Sequence, residues 1–128
     1  MDAKQLQEFL RRSNCIAVIG ASRNPAKYGY QVYRDLRNAG YRVYAVNPRV
    51  TAVLGDRCYP SLHALPEKPD VVNIIVPPAV TEEVVRECNA LGIERVWMQP
   101  GSESEEAIEF CRRHHINVIF GACIMLQR

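Results

Sequence analysis

The chain has 128 residues, 48% hydrophobic and 23% charged, a balance that excludes disorder and fibrous repeats and suffices for one core without disulfide or metal staples. Its formal charge of +2 is too small to point to nucleic acid, so any electropositive site has to be local. No apolar run nears membrane-spanning length, and the polar start Met1-Asp2-Ala3-Lys4 is no signal peptide, so a single cytoplasmic domain over residues 1–128 is expected.

Leu6, Phe9 and Leu10 recur at helical spacing before Arg11-Arg12, predicting a short leading helix. Residues 15–20 form a continuous apolar run, the pattern of a strand covered on both faces. Val32, Leu36 and Ala39 make a helical stripe over residues 28–39 that stops at Gly40. A second strand, 41–46, halts at Asn47-Pro48, because proline cannot donate to a sheet ladder. The following loop, 49–70, carries a helical turn introduced by Ser61. Residues 71–76 form a third buried strand, ended by Pro77-Pro78. Thr81 is expected to cap a helix whose apolar face is Val84, Val85, Cys88 and Leu91 and which ends at Gly92. The fourth strand, 93–98, runs into Gln99-Pro100-Gly101. Ser102 or Ser104 caps the last helix, and residues 116–120 form the fifth strand.

Five strands alternating with helices predict a Rossmann-like three-layer α/β fold: a five-stranded parallel sheet of order 3-2-1-4-5, with helices on both faces and right-handed crossovers. Ligands of such sheets bind outside the carboxyl ends of the strands, near the switch point, expected here between the first and fourth strands. Four segments meet at that edge: Gly20-Ala21-Ser22-Arg23, Asn47-Pro48-Arg49, Val76-Pro77-Pro78 and Gln99-Pro100-Gly101.

The first segment is a phosphate cradle without the Gly-x-Gly-x-x-Gly of a dinucleotide site. Ser22 replaces the second glycine, the next glycine is Gly29, and the helix starts late, near Tyr28. Backbone N–H groups at Ala21 to Arg23, the Ser22 hydroxyl and the cations Arg23 and Lys27 can meet a phosphate. A plain strand-to-helix turn is the alternative. The second strand ends without the acid that takes unmodified ribose hydroxyls; Arg49 favours a phosphorylated ribose, which leaves NADP or coenzyme A. Val76-Pro77-Pro78 forms a rigid apolar ledge suited to a flat base or a pantetheine arm, and Gln99 offers an amide.

Val-Ile-Gly-Ala-Ser with a distant Tyr-Gly, Asn-Pro after strand two, Val-Pro-Pro after strand three and Trp-Met-Gln-Pro-Gly after strand four together resemble the small CoA-binding domain proteins, relatives of the CoA-binding N-terminal domain of the succinyl-CoA synthetase α subunit. The similarity runs from about Cys15 to Cys123. It implies that Gly20, Ala21, Ser22 and Arg23 contact the CoA diphosphate with Tyr28 closing over them. By the same resemblance Pro48 and Arg49 meet the 3′-phosphorylated ribose, Val76, Pro77 and Pro78 pack on the adenine side, and Gln99 lies towards the pantetheine.

The five cysteines, Cys15, Cys58, Cys88, Cys111 and Cys123, are odd in number and never Cys-x-x-Cys, which argues against a disulfide framework or a zinc site. Cys15, Cys88 and Cys111 fall on apolar positions. Cys123 is either structural or a partner for the CoA thiol in a mixed disulfide. His63, His114 and His115 have surface or capping positions, and no catalytic constellation is visible. The expectation is non-catalytic binding of coenzyme A or acyl-CoA, as a sensor, carrier or accessory subunit, with neither nucleic acid nor membrane as partner. An NADP-binding oxidoreductase or redox sensor and the CoA-binding subunit of a split acyl-CoA ligase are the alternatives; a homodimer or a protein partner is left open.

Overall fold

All five apolar runs become strands of one sheet, and a short hairpin that the sequence pattern hides extends it to seven. A computed structural model describes residues 1–128. The elements are α1 (Ala3–Phe9), β1 (Cys15–Ile19), α2 (Tyr28–Asn38), β2 (Arg42–Val46), β3 (Ala52–Val53), β4 (Asp56–Tyr59), a 3-10 turn (Leu62–Ala64), β5 (Val71–Ile74), α3 (Pro78–Ala90), β6 (Arg95–Met98), α4 (Glu105–Arg113), β7 (Asn117–Ile119) and α5 (Ile124–Gln127). No helix is long and apolar enough to cross a membrane.

The α/β three-layer class is as expected, but the strand order is not. The sheet runs β3-β4-β2-β1-β5-β6-β7, so the strand expected at the far edge, β5, lies directly against β1, in register from Ile16↔Val71 to Ile19↔Ile74. The place beside β2 is taken by β4, which pairs in parallel through Ala45↔Cys58 and Val46↔Tyr59. β4 is reached through a tight turn in which Leu54 and Gly55 both have positive φ, 51° and 78°. Leucine rarely accepts that region, so the turn carries no asparagine-glycine signal. Burial explains the arrangement: every residue of β5 is buried, whereas β3 and β4 each bury a single residue and β4 opens on Asp56-Arg57, which suits an edge. The Asp70 carboxylate accepts from the Cys15 N–H at 2.8 Å, and Asp70 N donates to Cys15 O, fixing the register of β1 on β5. The switch point therefore lies between β1 and β5, not between the first and fourth predicted strands.

Side-chain alternation along the strands sorts the core into two layers. Ile16, Val18 and Trp97 pack with Phe9 of α1, Val32, Tyr33 and Leu36 of α2 and Ile124 of α5. Ala17, Ile19, Val96 and Met98 face Val84, Val85 and Cys88 of α3 and Ala107 and Cys111 of α4. Cys15, Cys88 and Cys111 are buried as expected, and Cys58 with them; all five thiols are unpaired. Burial pushes the Cys15 and Cys111 thiols up to about 11.

Two helix starts differ from expectation. Thr81 is no cap: it is buried inside α3, which begins at Pro78 with Pro77 before it. Proline at the first helical position loses an N–H that had no intrahelical acceptor anyway, so the proline pair starts the helix as well as ending the strand. Ser61 occupies the cap position of the 3-10 turn without a side-chain bond, while Ser104 caps α4 by accepting from Ala107 N.

Gly20 and Gly101 share φ +94°, but their surroundings differ. A Cβ on Gly20 would lie 2.0 Å from the Ile75 carbonyl oxygen, whereas one on Gly101 would meet nothing within 4 Å. Gly101→Ala is expected to cost about 1–2 kcal/mol, the strain of positive φ alone. Gly20→Ala adds displacement of the Ile75 backbone just beyond β5 and is expected to cost about 3 kcal/mol or more. Urea midpoints at unchanged m measure both; equal losses would show that the close approach carries no energy of its own.

Candidate functional site

The β1–α2 connection is set by glycines at both ends. Gly20 turns the chain out of β1 against Ile75, and Gly29, the second residue of α2, sits so close that a Cβ there would lie 2.0 Å from the Gly20 carbonyl oxygen. Between them the loop holds itself through short polar contacts. The Ser22 hydroxyl accepts from Asn24 N, and Asn24 Oδ1 accepts from Ala26 N, both at 3.0 Å. The N–H groups of Ala21, Ser22, Arg23, Tyr28 and Gly29 have no intramolecular acceptor. A loop with consecutive unpaired donors opening a helix is an anion-binding geometry.

Asn47 ties this loop to the end of β2. Its Nδ2 donates to Ala21 O at 2.9 Å, its Oδ1 accepts from Arg49 N at 2.9 Å, and its own N–H donates to Tyr59 O. The Oδ1 contact is an Asx turn that orients Pro48-Arg49 at the sheet edge. On the other side Val76 N donates to the Ser102 hydroxyl, and the Thr81 hydroxyl donates to Ser102 O at 2.7 Å, which locks the first turn of α3 to the loop after β6.

These ties enclose a cavity of about 710 Å³ at the carboxyl edge, beside the β1–β5 switch point. Five of the residues singled out from the sequence line it: Gly20, Pro48, Arg49, Val76 and Pro77. Lys27, named as a cation, lines it too, and neither Lys27 nor Arg49 is paired with a carboxylate. Ala21, Ser22 and Arg23 belong to the loop above it, Ala21 buried and Arg23 exposed. Pro78 is exposed at the start of α3, outside the cavity wall. The strand ends Ile19, Val46, Asn47 and Ile75 also line it, and Pro60, Ser61, Val80, Glu83, Val84 and Glu87, which the sequence does not single out as site residues, complete the wall. A signal was present for four of them: Val80, Glu83, Val84 and Glu87 follow Pro77 at helical spacing, a single face of α3.

Tyr28 and Gln99 lie elsewhere. Trp97 and Met98 face opposite layers of the core, and Gln99, two residues beyond Trp97, turns to the α2 and α5 side, away from the cavity. It is fully buried, and its Nε2 donates to the Tyr28 hydroxyl at 2.6 Å and to Cys123 Sγ at 3.3 Å, while its Oε1 accepts from Asn73 Nδ2 and Ile124 N. Burial, helped by the Cys123 thiol, pushes the Tyr28 hydroxyl up to about 12. Gln99 is thus a hub holding Tyr28, Cys123 and the start of α5, and Cys123 itself is half-buried.

Comparison with known proteins adds the decisive observation: residues 14–128 match the family model described as CoA binding domain. The chain belongs to the CoA binding domain family. The acetate–CoA ligase [ADP-forming] I of Archaeoglobus fulgidus is 31% identical to it over 85% of the chain but only 17% of that protein, so the chain spans about a sixth of such a relative's length. The protein YneT of Bacillus subtilis is 30% identical over 94% of the chain and 89% of its own length. A conserved hypothetical protein of Pyrococcus furiosus superposes with a TM-score of 0.86 at 41% identity, covering 90% of the chain and 99% of that protein.

The Gln99 hub has a measurable consequence. Gln99→Leu keeps the volume but strands Ile124 N and Asn73 Nδ2 in the interior, and is expected to cost about 2–4 kcal/mol. A spectroscopic titration of the variant should also show a tyrosine of altered pKa. A stability loss below about 0.5 kcal/mol would mean that the hub is dispensable.

Proposed function

We propose that this chain binds coenzyme A or an acyl-CoA non-covalently through the 3′-phospho-ADP portion, in the cavity at the β1–β5 switch point. The observation that carries the proposal is the set of unpaired N–H groups over residues 21–23 and 28–29, in a loop whose two flanking positions, Gly20 and Lys27, line a cavity where neither Lys27 nor Arg49 is paired with a carboxylate. Family membership supports CoA over NADP as the ligand of that cradle. Ala21, Ser22 and Arg23 hold the diphosphate on backbone donors, with Gly20, whose own N–H is bonded to Val46 O, turning the chain beneath it; Pro48 and Arg49 receive the 3′-phosphate; Val76, Pro77 and Pro78 support the adenine side. Tyr28 closes the loop's base, held by Gln99, which acts in this reading as a positioning residue and meets no ligand in the cavity.

Binding is the whole of the proposed activity, in a sensor, carrier or accessory role. A second reading is favoured by the A. fulgidus relative: the chain supplies the CoA-binding part of an acyl-CoA ligase completed elsewhere. Both readings use the same site and differ in whether acyl-CoA forms when a nucleotide-binding partner is added.

Calorimetric titration of the reduced protein with CoA, dephospho-CoA, NADP and NAD tests the binding. CoA should bind with dephospho-CoA weaker by about tenfold or more, the range of a charge-assisted contact. Arg49→Ala should remove that difference. Equal affinity for both CoA forms would take Arg49 out of the site, and NADP binding without CoA binding would overturn the ligand.

A further inference from the structure

The sheet has an open edge at β7, which pairs only with β6. Asn117 N donates to Glu94 O on the inner side, so by alternation the N–H and carbonyl of Val118 point outward. That carbonyl accepts from Gln5 Nε2 at 3.3 Å and keeps a second lone pair. The stretch Ile116-Asn117-Val118-Ile119-Phe120 holds no charge and no proline, the usual guards of an exposed edge. Beside it runs a groove of about 480 Å³ whose wall includes Met1, Arg112, Ile116 and Phe120. Met1 and Phe120 are 61% and 41% exposed.

One helix flanks this edge on each face, α1 in the layer of Phe9 and α4 in the layer of Cys111. Both run against β7: α4 turns straight into it, and α1 has Met1 beside Phe120 and Glu8 beside Asn117. The charges on each helix are split. On α4, Glu105 in the first turn and Arg112 in the last share a stripe with Ile108; on α1, Lys4 and Glu8 lie one turn apart, next to Asn117. None of these four charges makes an ion pair within the chain. Asp2, the other charge there, is held as the α1 cap by Gln5 N.

We propose that the chain forms a two-fold homodimer in which β7 pairs antiparallel with β7 of a second copy, joining the two sheets into one. With the axis through Val118 and normal to the sheet, Val118 N–H donates to the carbonyl of the partner's Val118 and the reverse bond forms with it. Ile116 and Phe120 share a face by parity, so Phe120 stands opposite the partner's Ile116, a cross-strand apolar pair. Each helix meets its own copy head to tail: Arg112 comes against the partner's Glu105, and Glu8 against the partner's Lys4. A parallel copy would match charges across unlike helices but set Val118 N–H against Val118 N–H, donor against donor. The antiparallel arrangement leaves the two carboxyl edges at opposite ends, so both cavities stay open, and it does not depend on which ligand they take.

Sedimentation equilibrium of the chain, from about 1 µM to 1 mM, is the test. The native chain should become dimeric within that range. Val118→Pro removes the outward N–H without costing a ladder bond inside the chain; it should stay monomeric throughout, with an unchanged circular dichroism spectrum. Arg112→Glu should weaken the dimer by about tenfold, since both symmetric contacts turn repulsive, and adding Glu105→Arg should restore native affinity. A native chain that is monomeric at every concentration overturns the inference. So does a dimer that keeps its affinity in Val118→Pro or in Arg112→Glu, because another surface then holds it. Rescue of Arg112→Glu by Glu8→Lys in place of Glu105→Arg would mean a parallel copy and overturns the antiparallel pairing. If Val118→Pro fails to fold, the charge swap decides alone.

Discussion

Three stretches of backbone meet without side chains between them. Gly20 lies against the Ile75 carbonyl, and Gly29 lies against the carbonyl of Gly20; a methyl group at either glycine would come within 2.0 Å of an oxygen. Through this contact the first turn of α2 is pressed onto the ends of β1 and β5. Residues 21–27 must then bulge away from the sheet edge, and a chain that bulges there cannot form a ladder or a helix turn. Unpaired N–H groups are the result, and they are affordable only where water or a ligand can reach them.

The alternation of the sheet divides what this edge can do. Side chains of β1, β5 and β6 that point towards α3 and α4 floor the cavity or lie beneath it. Those that point towards α2 and α5 enter a closed interior, where Asn73 and Gln99 are fully buried. Two amides in an apolar layer destabilise it unless their groups are paired. Gln99 meets that condition through contacts to four other residues, while Asn73 Oδ1 is left without a partner. The rigidity of the hub fixes Tyr28 and the start of α5, and so supports the cavity from the side that no ligand touches.

Much of this was legible in sequence because apolar run length and glycine position are local signals. The runs at 15–20, 41–46, 71–76, 93–98 and 116–120 all hold strands, and the late helix start at Tyr28 follows from the displaced glycine. What escaped notice depends on non-local competition. The β3–β4 hairpin turns through Leu54 at positive φ, a conformation that its sequence does not advertise, and without β4 the strand beside β2 had to be assigned to the wrong run. Pro77-Pro78 reads equally as the end of a strand or the start of a helix, and the first reading moves the expected cap on to Thr81. The direction of Gln99 was readable in principle from its parity with Trp97, but only once Trp97 is known to face α1. α5 is too short, at four residues, to carry a periodic signal at all.

Placing cations and carboxylates in one cavity looks self-defeating until the distances are compared with screening. At physiological ionic strength the Debye length is about 8 Å, and by helical rise Glu83 and Glu87 lie roughly 9 and 15 Å along α3 from Pro77. Repulsion between a phosphate in the cradle and those carboxylates is therefore damped, the more so because the groups sit at an open mouth. Attraction at the cradle is short-range, carried by N–H groups already in position, which lose no conformational freedom when the anion arrives. Each end can thus act on its own part of a long ligand.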